Sequence, residues 1–534
     1  MTHRQIMEAL SGLLLGMFVA ILSSTVVSNA LPTIVADLHG SESGYTWVVV
    51  ASLLATTIST PVWGKLSDLF DKKVLVQSAL VLFVVASAVA GLSQSMGMLI
   101  AMRVVQGLGA GGLTALAQVI MASMIAPRER GRYSGYLGAT FALGTVGGPL
   151  VGGALTEHLS WHWCFFVGVP FAVLAFFVLG RTLDLPTVKR EVHIDYAGAL
   201  LLAGGVSALL VWVSLAGQQF DWASWQTAAL VGGGVALLGL TVLVESRAVE
   251  PIIPLRFFRD PTVVLSAVAS LFVGIAMFGG TVFLSQYFQS ARLQSPTTAG
   301  LSTLPMILGL TLASTVAGRS ITRTGRWKGW IVAGGVLLSA GLALMTTIAA
   351  DTAYVLVAVP MFLLGAGVGM MMQNLVLAVQ NVVAREDLGA ASSFIAFTRT
   401  LGGAIGVSAL GAVLAHRVGT HLMTGLRSAG IEASALGGGG VPNVHTLPEP
   451  VRGIVAAAYG AGVADVFLTA TPFAVLALVI AFFFRETSLR SATGTPAGTP
   501  EVTAGIPAPA GAPRPRAARV RVRSRGRGRA GVRG

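Results

Sequence analysis

The chain has 534 residues, 54% of them hydrophobic and only 11% charged, with a mean hydropathy of +0.78. Soluble domains carry about 25% charged residues, so this composition excludes an ordinary water-soluble fold and indicates a polytopic membrane protein. The net charge of +13 is not a nucleic-acid signature, because nine arginines fall after residue 510 and most other basic residues lie between apolar runs.

From the N-terminus, apolar runs fall near residues 9–33, 45–66, 74–93, 98–122, 134–155, 163–182, 196–216 and 225–244. Six more follow near 263–288, 299–318, 330–349, 354–380, 390–415 and 464–484. Each is long enough to cross a bilayer core of about 30 Å as a helix. The first run exceeds a signal-peptide core and lacks a small-residue cleavage site, so it reads as a retained span. The pattern predicts an all-α integral membrane protein with 14 transmembrane helices. Sixty-six glycines suit helix packing in lipid, where small residues let backbones approach. The lone Cys164 offers neither an intramolecular disulfide nor metal-ligand spacing.

Alternate loops hold most of the basic residues, among them Lys65, Lys72, Lys73, Arg128, Arg130, Arg132, Arg181, Lys189, Arg190, Arg247, Arg256 and Arg259. Arg319, Arg323, Arg326, Lys328 and Arg385 continue that side. The opposite loops hold Arg292, Arg417, Arg427 and Arg452. The positive-inside bias predicts a multi-pass plasma-membrane protein with both termini cytoplasmic.

The chain is also duplicated. GKLSDLFDKK, Gly64 to Lys73, returns in degenerate form as GRSITRTGRWK, Gly318 to Lys328, about 254 residues on. Gly107 and Gly109 recur as Gly365 and Gly367, and Gly147–Gly148 as Gly402–Gly403. The expected organisation is a six-helix bundle over 1–190, two inserted helices over 191–260 and a second six-helix bundle over 261–490. Residues 416–462 are expected as an external loop, and 491–534 as a disordered basic cytoplasmic tail. That tail reads either as an attachment to the anionic inner leaflet or as a solvated topological signal. Paired bundles place a substrate path at their interface near the midplane.

Several motifs carry a resemblance. GKLSDLFDKK resembles the loop 2–3 signature of the major facilitator superfamily. MRVVQGLGAGG, Met102 to Gly112, is similar to its span 4 signature, and GTVGGPLVGG, Gly144 to Gly153, to the span 5 signature associated with antiporters. SSTVVSNALPTI, Ser23 to Ile34, and WHWCFFVGVP, Trp161 to Pro170, resemble the fourteen-span drug:proton antiporter branch. The resemblance covers about residues 9–485. It implies a major facilitator fold, two six-helix bundles plus two inserted helices, exporting drugs or other small molecules against protons by alternating access.

Asp68 sits in the basic hairpin, where it could pair with Lys65, Lys72 or Lys73 or with the N-terminal end of a neighbouring helix. The alternative is a solvated turn. The resemblance implies that Gly64, Asp68, Lys72 and Lys73 form an inner gate, and Thr322 in the second copy makes that gate asymmetric. Gly144, Gly148 and Gly152 lie four apart, with Pro149 alongside, and form a packing groove that the resemblance extends to a sealing seam.

Arg103 lies inside span 4 with Gln106 one turn on, facing either the cavity or, by snorkelling, an interface. Arg399 reads as a structural tether or a path residue. By the resemblance Ser23, Asn29, Arg103, Gln106, Gln286, Gln373 and Asn374 are cavity and substrate candidates, each with an interhelical hydrogen bond as its plainer role. A polar stripe in an apolar cavity suits small amphipathic compounds, cations among them. No acidic residue falls at the centre of a span, and the aspartate that the branch carries near Ser23 is absent. Asp37 and Asp465, at outer span ends, are left as proton-coupling candidates.

No GxxxxGK[ST], HExxH or nucleophile–base pattern appears, which leaves no catalytic or metal site, no cofactor and no enzyme. The energy source expected is the proton gradient, and the partners are substrate, protons and the lipid bilayer, without nucleic acid. An uncoupled facilitator or dedicated metabolite exporter is the alternative, and a non-transporting receptor or scaffold the remote one.

Overall fold

Each apolar run winds into a helix, since a spanning backbone must satisfy its hydrogen bonds internally. The computed structural model describes residues 3–39, 42–183, 195–217, 219–431, 448–449 and 451–489, and among them fourteen helical segments are long and apolar enough to cross a membrane. The first six spans are α1 (His3–Asp37), α2 (Glu42–Leu69), α3 (Lys72–Ala90), α4 (Met96–Met124), α5 (Pro127–His158) and a broken sixth, α6 (Trp163–Phe166) with α7 (Val169–Thr182). Two further helices follow, α8 (Tyr196–Leu215) and α9 (Trp225–Glu245). The second set begins with α10 (Pro261–Gln286), a span split into α11 (Pro296–Ser302) and α12 (Leu304–Thr324), and α13 (Lys328–Met345). It ends with α14 (Tyr354–Val382), α15 (Leu388–Ser428) and α16 (Val451–Phe483).

Local chemistry sets the ends. The Asp71 carboxylate caps α3 by accepting from the Lys73 amide at 2.7 Å, and Asp260 caps α10 through the Thr262 and Val263 amides. Pro127 and Pro261 open their helices where no amide partner is needed. Gly325, at φ +72°, supplies the left-handed residue that ends α12.

Packing repeats between the halves. In the first, α1 lies on α5 and α7 while α2 and α3 flank α4; in the second, α10 lies on α15 and α16 while α12 and α13 flank α14. Two seams join them, α2 against α15 and α12 against α5. Helix α8 packs on both α2 and α15, and α9 packs on α8.

The glycines of span 5 and their second-half counterparts do equivalent work. A Cβ on Gly144 would meet Ile21 at 2.8 Å, and one on Gly152 the Val26 carbonyl at 2.9 Å. At the α10–α15 crossing, Gly406 lies against Ile275, and Cβ atoms on Gly402 or Gly403 would overlap Leu271 or Phe278.

The last two spans differ from the sequence boundaries. Helix α15 continues past residue 415 to Ser428, and α16 starts at Val451 rather than near 464. Residues 416–428 and 451–462, expected in an external loop, are therefore helical. The hydropathy falls there, but Val418, Leu422, Val451, Val455 and Tyr459 still pack in one cluster. Residues 432–447 of that loop, and the expected tail 491–534, lie outside the described residues.

Candidate functional site

A helix start normally leaves its first amides needing an acceptor. Asp387, directly before α15, is the residue placed to supply one, yet its side chain makes no cap and instead pairs with Arg256 at 2.5 Å. The cap comes from the other half of the molecule. Both oxygens of Asp68, at the end of α2, accept from α15, Oδ1 from the Gly389 amide and Oδ2 from the Ala390 amide, each at 2.8 Å. Charge-assisted bonds of this kind at a helix N-terminus are among the stronger ones available. The approach depends on glycine at two points. A Cβ on Gly389 would overlap Asp68, Ser67 and the Gly64 carbonyl, and one on Gly64 would overlap Ser393.

Around this contact lie further links between the halves. The buried Lys65 pairs at 2.5 Å with Glu250, in the strap between α9 and α10, and Arg256 of the same strap is the partner of Asp387. Ile252, Ile253 and Phe257 anchor the strap in a cluster shared with Val62 of α2 and Phe394 of α15. No ion pair to Lys72 or Lys73 occurs among the described residues.

Arg130, in the first turn of α5, sits in a pocket of acceptors. Its guanidinium donates to the Ile125 and Ala122 carbonyls at the end of α4, at 2.8 and 2.6 Å, and to Gln380 of α14 at 2.6 Å. The Gln380 amide passes the link on to Ser392 of α15 at 2.7 Å. All of these acceptors are neutral, and a guanidinium stays charged at neutral pH. Sequence reasoning missed this residue as anything but a loop cation; its sole signal was a second arginine close behind Arg128.

The second seam is built differently. Arg128 reaches the Thr322 and Arg323 carbonyls at the end of α12 with two bonds of 3.4 Å. Thr322 turns its own hydroxyl back to the Gly318 carbonyl at 2.9 Å. Above it, Phe141 and Thr145 of α5 face Met306, Leu310, Leu364 and Val368 across a narrow apolar crevice.

The residues expected to share one cavity are not brought together in this conformation. Ser23 is buried beside Gly168, within the first half. Arg103 is 3% exposed; it donates to the Val48 carbonyl at 3.3 Å and to Gln106 at 2.5 Å, and Gln106 donates to Ser87 at 2.7 Å. That network ties α2, α3 and α4 together. Gln286 ends α10, far from mid-helix, while Gln373 and Asn374 are buried in α14, with Asn374 bonded to the Met370 carbonyl. The Asn29 side chain lies outside the described residues. Of the seam candidates, Gly148 closes onto Thr25 of α1, whose hydroxyl donates to the Gly144 carbonyl at 3.0 Å, and Pro149 lies against Gly300 of the second half.

Asp37 is the last residue of α1, whereas Asp465, expected at a span end, falls near the middle of α16 because that helix starts at Val451. Asp37 is exposed and accepts from Trp161 Nε1 at 2.7 Å. Asp465 faces His421 at 2.9 Å, with Arg417 at 3.7 Å, and joins α16 to α15 where both run on beyond bilayer length.

Comparison with known proteins matches this architecture. Residues 13–407 fit the sequence profile of the Major Facilitator Superfamily. The chain is 37% identical over 479 residues to an uncharacterised MFS-type transporter of Mycobacterium tuberculosis, covering 90% of this chain and 69% of that one. It is 33% identical over 415 residues to the multidrug transporter protein MdtP of Bacillus subtilis, covering 77% and 76%. The solved structure of the proton:xylose symporter XylE shares the fold, with a TM-score of 0.59 at 14% identity over 91% of this chain and 98% of that one.

Proposed function

The chain belongs to the major facilitator superfamily and is a transporter rather than an enzyme, and from that premise we propose that it exports small amphipathic molecules across the plasma membrane by proton antiport. Both termini are cytoplasmic in this reading, so the Asp68 end is the inner one. The observation that carries the mechanism is the cap placed on α15 by a carboxylate of the opposite half. Two charge-assisted bonds hold the inner end closed and must break for the halves to rock apart, which makes them a latch on one state of an alternating-access cycle. Multidrug and efflux relatives support the direction of transport.

Coupling is assigned to Asp465 with His421, a carboxylate and an imidazole 2.9 Å apart that join α16 to α15. An uncoupled exporter is the second reading, favoured by the scarcity of acidic side chains in the central turns of the described spans, where Asp465 of α16 is the exception. Dye efflux from proteoliposomes under an imposed pH gradient tests both. Flux that ignores the gradient selects the uncoupled exporter, and no flux of any dye in a broad panel removes the export reading. Orientation is checked by placing single cysteines at Gly438 and Gly511 in a Cys164→Ser background. An impermeant reagent applied to intact cells should label only the first.

A further inference from the structure

Three arginines are buried among the described residues, and the structure treats them unequally. Arg103 and Arg130, 3% and 4% exposed, give their guanidinium groups to neutral acceptors of their own bundle or of a neighbouring helix. Arg399 of α15, 9% exposed, has a buried Nη1 without a hydrogen-bond partner, and among the described residues it takes part in no hydrogen bond or ion pair.

Its position makes that costly. Eleven residues separate it from the start of α15 at Leu388. At 1.5 Å per residue that is about 16 Å, roughly half of a 30 Å hydrocarbon core. A side chain that reaches about 6–7 Å cannot bring its charge to either interface from there by snorkelling. Nor can the backbone swing away. A Cβ on Gly274 would overlap the Arg399 carbonyl, so α10 and α15 are in main-chain contact at this residue.

Among the described residues no carboxylate pairs with Arg399. The Asp68 carboxylate is committed to the Gly389 and Ala390 amides, Asp387 to Arg256, and Asp465 to His421 and Arg417. Seven residues before Arg399, close to two helical turns and so on the same face of α15, lies Ser392. Its hydroxyl accepts from Gln380, which Arg130 of the opposite half grips. The face that carries Arg399 therefore rises from the floor where the two halves meet.

We propose that Arg399 is a binding point for an anionic group at mid-membrane, with the carboxylate of a transported molecule or a small inorganic anion as the chemistry it takes. The guanidinium presents a planar fork that matches a carboxylate bidentately. The same uncompensated charge disfavours organic cations, so it narrows the amphipathic substrate class to anions and zwitterions. This inference rests on the export reading given above.

Binding of three naphthalene probes of one shape to the purified full-length protein tests it: 1-naphthaleneacetate, 2-(1-naphthyl)ethanol and 2-(1-naphthyl)ethylammonium. The acetate should bind about tenfold more tightly than the alcohol, as one charge-assisted pair allows, and the ammonium more weakly than either. Arg399→Met should bind acetate and alcohol alike with the alcohol's affinity unchanged, while Arg399→Lys keeps part of the preference. Chloride titrated at constant ionic strength separates the two sources. Competition assigns the point to a free inorganic anion, and its absence assigns it to the carboxylate. Equal binding of acetate and alcohol by the wild-type protein overturns the proposal whether or not the variants fold, as does a preference that survives in Arg399→Met. If proteoliposomes still export dyes in either case, only the anion point is lost; if they export nothing, the export reading itself falls.

Discussion

The two seams between the halves are copies in packing and opposites in chemistry. Helix α2 meets α15 through a carboxylate that caps the partner, two glycines that admit main-chain contact, and a strap paired to both sides. Helix α12 meets α5 through two 3.4 Å bonds to carbonyls and an apolar gap. Duplication preserved which helices touch, because that depends on small residues at the crossings. It did not preserve the strength of the contact, because one side chain, Asp68 against Thr322, decides it. The expected consequence is a lopsided hinge, with α12 and α5 parting more readily than α2 and α15.

The harshest test of that comparison adds one methyl group to each seam. Gly389→Ala drives a Cβ into Asp68 and the Gly64 carbonyl, an overpacking penalty of about 1–3 kcal/mol with the cap lost as well. Transport by the purified protein should fall at least tenfold. Gly138→Ala in the other seam meets Ser314 at 2.9 Å and Leu310 at 3.1 Å, side-chain ends that can shift, and should cost less than about twofold. Similar losses at both sites would remove the asymmetry.

Asp68→Asn comes next. The amide keeps one acceptor oxygen but loses the charge, about 1–2 kcal/mol of the latch, or roughly a tenfold shift toward the inner-open state. Efflux should drop with little change in membrane abundance, and a cysteine near the start of α15 should label faster from the inner side. Thr322→Val should leave efflux within about twofold, since its hydroxyl serves only its own helix.

Arg130→Lys should be milder at the level of transport and plain in stability. One ammonium cannot span the three acceptors that the guanidinium holds, and the melting point should fall by the equivalent of about 1–3 kcal/mol. A double-mutant cycle with Gln380→Ala should return a coupling of about 0.5–3 kcal/mol; additivity would mean the bridge between halves contributes nothing. The smallest effect belongs to Glu250→Gln. Its side chain is 30% exposed, so the pair with Lys65 is screened and worth less than about 1 kcal/mol, a difference that added salt should erase.

Much of this architecture was legible from residues alone. Bilayer-length apolar runs locate all fourteen spans, and the glycines of α5 and α15 mark crossings that admit no side chain. Asp68 could be read as a partner for a helix N-terminus, though not for which one, because Asp387 stands where α15's own cap belongs and only the fold turns it toward Arg256. The polar residues of α1, α4 and α14 are legible only as candidates, for a related reason. A chain cannot reveal that Arg103, Gln106 and Ser87 hydrogen-bond to one another across α3 and α4. Arg130 and Glu250 look like loop charges until α14 and α2 are folded beside them. The overrun of α15 escaped notice because hydropathy drops at His416 while leucine, methionine and arginine, good helix formers, carry the helix onward.

That overrun also has a practical side. At 1.5 Å per residue, α15 is about 60 Å long and α16 about 50 Å, against a hydrocarbon core of about 30 Å. In projection, a 54.9 kDa protein made of two look-alike bundles offers little to tell one bundle from the other when single particles are aligned. A stiff antiparallel pair that includes α15, longer than any helix of the first bundle, works against that near-symmetry. It is a fiducial that the molecule carries for its own imaging.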